Sequence, residues 1–112
     1  MAKRLSLEYK HLRDHQPFLK VLHAAKAKRR QLILDNVPNR GIKAIKILFK
    51  NILNGKLPLK KNHITKLKRH KGFIRGVASS NIKKARGLIQ RGGSFNLSSI
   101  LGTVLPLLPL LL

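Results

Sequence analysis

The chain has 112 residues, 25 Lys or Arg against 3 Asp or Glu, a formal net charge of +22, and no Cys. That length holds one small domain at most, and such a charge opposes its own compaction unless a polyanion neutralises it. The missing Cys excludes disulfides, thiolate metal sites and cysteine nucleophiles, and with aromatics at 4% and no Trp the composition predicts helices that complete their fold on binding.

Residues 1–16 are polar and mixed, with Leu5, Leu7, Tyr9 and Leu12 in no clean period, which predicts a weak helix. The positive charge at Lys3 and Arg4 is not followed by an apolar run, so the segment does not read as a signal peptide. From Phe18 to Leu34 the apolar residues Phe18, Leu19, Leu22, Ala25, Leu32 and Ile33 gather roughly on one helical face, and Pro17 suits a first turn. Within it, Lys26-Ala27-Lys28-Arg29-Arg30 also reads as a nuclear localisation signal. Asp35 is the last acid of the chain.

Asn36-Val37-Pro38-Asn39 breaks the pattern. A third helix follows from about Arg40 to Asn54, with an apolar stripe of Ile42, Ile45, Leu48, Phe49, Ile52 and Leu53. Arg40, Lys43, Lys46 and Lys50 occupy another face, and Asn54-Gly55 followed by Pro58 supplies the stop. After Lys60 and Lys61, Asn62 is placed to cap a fourth helix through about Val77. Its apolar side is Ile64, Leu67, Ile74 and Val77; Lys66, Lys68, Arg69, Lys71 and Arg75 make it cationic. Ser79-Ser80-Asn81 then caps a short fifth helix, with Ile82, Ala85, Leu88 and Ile89 on one side and Lys83, Lys84 and Arg86 around them.

Arg91-Gly92-Gly93 ends the charged part of the chain, because Ser94 to Leu112 carries no ionisable side chain. Paired glycines stop helix propagation readily and leave an extended segment that a protease cleft can take. The uninterrupted apolar run, Ile100 to Leu112, is shorter than the ~20 residues of a bilayer span, and Pro106 and Pro109 oppose a regular helix near its end. The expected organisation is therefore a basic helical segment at 1–35, a cationic helical body at 36–93 and an apolar tail at 94–112. The fold class is all-α: several short basic amphipathic helices, loosely packed or folding on binding.

Three scattered carboxylates and five histidines form no acid–base pair, no nucleophile triad and no phosphate-cradling glycine loop. Asp14 and His15 are adjacent and diverge on a helix. His63 and His70, seven apart, can share a helix face but have no further metal ligand beside them. No catalysis and no cofactor is expected. Binding is a different matter, since residues 36–93 hold sixteen Lys or Arg and no acid. Duplex DNA presents one phosphate charge per ~1.7 Å of axis, which a basic helix can meet without base contacts. Candidate phosphate contacts are Arg40, Lys43, Lys46, Lys50, Lys60, Lys61, Lys66, Lys68, Arg69, Lys71, Arg75, Lys83, Lys84, Arg86 and Arg91. With no zinc-finger spacing, zipper heptads or RNA-reading aromatic motif, the expected mode is independent of base sequence.

Three stretches carry a resemblance: Ile52-Leu53-Asn54-Gly55-Lys56-Leu57-Pro58-Leu59, Lys66-Leu67-Lys68-Arg69-His70-Lys71, and Leu88-Ile89-Gln90-Arg91-Gly92-Gly93 before Phe95. Together with the basic body and apolar tail, they resemble the small basic virion core proteins of the adenovirus core protein X (mu precursor) type, and more closely those of Polinton/Maverick and adintovirus elements. The resemblance implies a protein packed against double-stranded DNA in a virion core, located in the host nucleus before that, and cut after Gly-Gly by a virus-encoded cysteine protease. Gly92 and Gly93 would then precede the cut and Ser94 follow it. Gln90 stands where the adenovirus pattern has an aliphatic residue, and Ser94 intervenes before Phe95, departures that imply a protease of altered preference. Left attached, the tail would tether the body to capsid protein or membrane. The alternative reading is a cationic membrane-associated protein that uses the tail as an anchor or lytic segment.

Overall fold

Helix boundaries in the computed structural model follow capping chemistry where the sequence supplies it and tertiary contacts where it does not. The structure describes the backbone of residues 2–111 and the side chains of residues 8–92 and 95–109. Among them are α1 (Ala2–Asp14), α2 (Gln16–Ala24), α3 (Ala27–Asp35), α4 (Asn39–Leu53), α5 (Lys61–Lys68), α6 (Lys71–Ser79), α7 (Ile82–Val104), a 3₁₀ turn (Leu105–Leu107) and α8 (Leu108–Leu111). No strand occurs among the described residues, and the all-α class is the one observed.

The expected helix from Phe18 to Leu34 is two helices. No Gly or Pro separates them; Ala25 and Lys26 turn extended at ψ 146° and 160°. The cause is Arg30, only 7% exposed, which folds back over the end of α2. Its Nε donates to the Leu22 carbonyl at 3.0 Å and its Nη2 to the Ala25 carbonyl at 2.5 Å. A guanidinium thus satisfies carbonyls that the end of α2 leaves without helical partners. The next break does follow local chemistry. Pro38 disfavours helical backbone at Val37 and begins α4 as its N-cap.

In α4, Ile42, Ile45, Leu48 and Phe49 are wholly buried and Ile52 nearly so, whereas Leu53 falls outside the stripe and is exposed. Gly55 takes φ +68°, the left-handed backbone that closes a helix end. The expected fourth helix also divides, into α5 and α6, because His70 turns into the core between them and starts α6. Lys60 rather than Asn62 is the N-cap of α5, where the Lys60 amide donates to His63 Nδ1 at 3.1 Å.

The largest departure is at Gly92-Gly93. Instead of ending there, α7 runs through the pair to Val104, 23 residues in all, and the backbone of Gly92, Gly93 and Ser94 is helical. Asn81 caps its start, accepting the Lys84 amide at 2.8 Å. The reason the glycines do not stop it lies on either side of them. Ala85, Ile89, Leu97 and Leu101 follow one i, i+4 series through position 93, joined by Ile100, Val104 and Leu108, and all seven are fully buried. Glycine inside a helix costs about 1 kcal/mol relative to Ala. Burying one Leu or Ile contributes about 1.5–3 kcal/mol, so the apolar series outweighs the glycine pair.

Helix α7 is consequently the axis of the molecule, packing against α2, α3, α4, α5 and α6. One core joins Leu12 of α1, Leu19 and Leu22 of α2, the α4 stripe, Ile74 and Val77 of α6, and both halves of α7. Phe49 and Phe73 meet edge to face within it, their centroids 5.8 Å apart. Neither expected boundary, 35/36 or 93/94, parts this core. The Cα radius of gyration, 13.0 Å, matches the about 13 Å of a compact chain near this length.

Candidate nucleic-acid interface

With the apolar stripes turned inward, helix geometry sends the lysines and arginines outward. Of the fifteen candidate cations, Lys46 and Arg86 are partly buried and all the others are exposed. Helices α4, α5 and α6 bring several together that sequence spacing does not connect. Lys50 and Arg75 border one shallow groove between α4 and α6. Arg75 continues with Lys71 and Lys68 along the rim of an apolar groove of about 550 Å³ whose floor includes Leu57, Leu67 and Ile74. Lys50, Arg75, Lys71 and Lys68 therefore form one cationic band across three helices. Lys66 and Arg69 face elsewhere, onto a cleft against α7.

Lys46 shows what this crowding costs. Burial, and second the Lys50 ammonium one turn on, hold its pKa below the usual 10.5. Arg86 is the exception among the candidates. Its Nη1 donates to the Val37 carbonyl and its Nη2 to Asn39 Oδ1 at 2.5 Å, clasping the α3–α4 turn to α7. Arg91 bends back along its own helix, Nε to the Gly87 carbonyl at 3.2 Å. Lys83 and Lys84 project from the first turn of α7, and Lys43 and Arg40 from the start and outer face of α4. None of the helices α1 to α8 has an acid in its first turn among the described residues.

His63 and His70 do not meet, whereas His11 and His15 stack with their centroids 4.3 Å apart. His63 caps α5 locally, whereas His70 Nδ1 lies 2.7 Å from Asn96 Oδ1 on α7. Among the described residues no group of three or more His, Cys, Asp or Glu is placed to hold a metal ion. Also among them, no helix is long and apolar enough to cross a membrane.

Sequence reasoning missed two functional-site features. The clasping role of Arg86 depends on a contact 49 residues away along the chain, and no local signal marks it. The exposure of Phe95 has no local signal either; it is 79% exposed, the most exposed large apolar side chain among the described residues. No family model, curated protein or solved structure matches the chain.

Proposed function

We propose that this protein binds and condenses nucleic acid without reading its sequence, acting on double-stranded DNA in the core of a viral or virus-like particle assembled in the host nucleus. The observation that carries the reading is the outward display of fourteen of the sixteen Lys and Arg between residues 36 and 93, with no acid among them. The band of Lys50, Arg75, Lys71 and Lys68 supports it, being a run of cations along two adjoining grooves that can track a phosphate backbone. Basic amphipathic helices of this kind repel one another, and part of the stability of the fold comes from the polyanion that neutralises them.

Processing after Gly93 by a virus-encoded cysteine protease fits this reading with a changed mechanism. The seam is helical, so the protease must first unwind α7, and the glycine pair is where unwinding costs least. A cut there severs Leu97, Ile100, Leu101, Val104 and Leu108 from the chain that carries the charge. The body then folds against DNA instead of against its own tail, and the released peptide is free to contact capsid protein or membrane. In the uncut chain the side chains that a membrane anchor would use are inside the core, which disfavours the membrane reading.

Titration with duplex DNA at rising salt tests the proposal. If six to ten phosphates are engaged, affinity falls ~10³- to 10⁵-fold between 50 and 200 mM salt. Affinity unchanged across that range would refute it.

A further inference from the structure

Phosphate neutralisation does not account for the one large aromatic ring that the fold holds out into solvent. Phe95 lies on α7 beyond the last charged residue, 79% exposed, and it borders a cleft of about 450 Å³ between α5 and α7. The other walls are Thr65 and Lys66 from α5, Arg69 and His70 from the turn that follows it, and Asn96 and Ser99 one and four residues along α7. The position of the ring is set from beneath. His70, 6% exposed, lies with its ring centroid 6.1 Å from that of Phe95 and tilted by 56°. Asn96 holds His70 through its Oδ1 at 2.7 Å and donates through Nδ2 to the Gly92 carbonyl, also at 2.7 Å. Every member of this support is therefore tied to the α7 backbone or to the start of α6.

We propose that this cleft is a base-stacking site for an unpaired nucleotide: Phe95 takes the face of a nucleobase while Lys66 and Arg69 hold the phosphates on either side. The chemistry of the walls favours such a ligand. An open aromatic face gains from stacking on any base, without sequence preference, and two cations at the lip match the backbone charge that accompanies each base. The Ser99 hydroxyl can donate to or accept from a base edge, and the Thr65 hydroxyl, which donates to the Lys61 carbonyl at 3.0 Å, can accept from one. The volume lies within the about 300–1,000 Å³ usual for small-ligand sites. A paired, stacked base inside a duplex cannot present its face to the ring, so the site discriminates single strands, gaps and frayed ends from intact helix. This inference deepens the proposed nucleic-acid binding and rests on it.

The test uses the full chain, a 2-aminopurine-containing single-stranded oligonucleotide and an intact duplex of equal phosphate number. Wild-type protein is expected to change the 2-aminopurine fluorescence in the single strand on binding. Phe95→Ala, at an exposed position, is expected to abolish that change and weaken single-strand binding about 5- to 150-fold, the equivalent of one stacked base. Its duplex affinity and salt slope should be those of wild type. Lys66→Gln with Arg69→Gln should weaken the single strand more than the duplex. Equal single-strand affinity and fluorescence for wild type and Phe95→Ala, with duplex binding intact, would overturn the stacking site and leave the condensing function standing. Absence of binding to either oligonucleotide would overturn both.

Discussion

Two buried or half-buried cations on this protein do opposite things, and both depend on what surrounds them. Arg30 finds two carbonyls at the end of α2 and is spent on structure. Lys46 finds partial burial and the Lys50 ammonium, and its pKa is held low. Its folded pKa lies below the unfolded value, so the unfolded chain binds more protons in the window between them. Stability therefore rises with pH through that window and the penalty is greatest below it. Lys46→Met should accordingly raise the unfolding midpoint near neutral pH, where wild type holds a disfavoured charge. The advantage should shrink as pH climbs toward 10.5, which urea unfolding of the pair across pH would show. A constant difference at every pH would assign the gain to packing alone.

At the scale of the helix, α7 is the element whose behaviour sets the rest. It crosses Gly92-Gly93 because apolar residues at the right period lie on both sides, and this leaves its middle the weakest part of a long helix. A methyl group at Gly92 would meet only Asn96 Nδ2, at 3.4 Å, so there is room for one. Gly92→Ala should then stabilise the protein by about 0.5–1 kcal/mol, measured by thermal or urea unfolding. The same substitution should slow cutting at the seam by the cognate protease, since the helix must open first. Stabilisation without slower cutting would mean that the protease does not depend on local unwinding. Gly41 is the contrary case, because an added Cβ would lie 2.6 Å from Val37 Cγ2, where the start of α4 is pressed against the preceding turn.

For the molecule as a whole, the apolar residues after the seam supply part of the core and the residues before it supply the charge. Leu97, Ile100, Leu101, Val104 and Leu108 are fully buried. At about 1.5–3 kcal/mol each their burial is worth on the order of 10 kcal/mol, comparable to the entire stability of a small domain at about 5–15 kcal/mol. A chain ending at Gly93 should lose its cooperative thermal transition in buffer and regain helical circular dichroism on adding duplex DNA. The full chain should melt cooperatively without DNA. If the shortened chain melted like the full one, the tail would be dispensable to the core and cleavage would have no structural consequence.

Much of the architecture was legible in the residues themselves. The all-helical class, the span of α4 and its stripe, the stop at Gly55 and the cap at Asn81 all follow from periodicity and capping, which act within one or two turns. The solvent-facing charge was legible for most Lys and Arg, though not for Arg30 and Arg86, which find backbone carbonyls instead. Three features were not: the break at Ala25-Lys26, the division of α5 from α6 at His70, and the passage of α7 through its glycines. The first is decided by a side chain that folds back over the preceding helix end, and the other two by a partner distant along the chain or a core assembled from many helices, as when Asn96 holds His70 from 26 residues away. Local propensities differ by about 1 kcal/mol per residue, and burial of one large side chain exceeds that. The tertiary core therefore overrules a glycine pair, and a segment that reads as a loose tail becomes part of the helix at the centre of the fold.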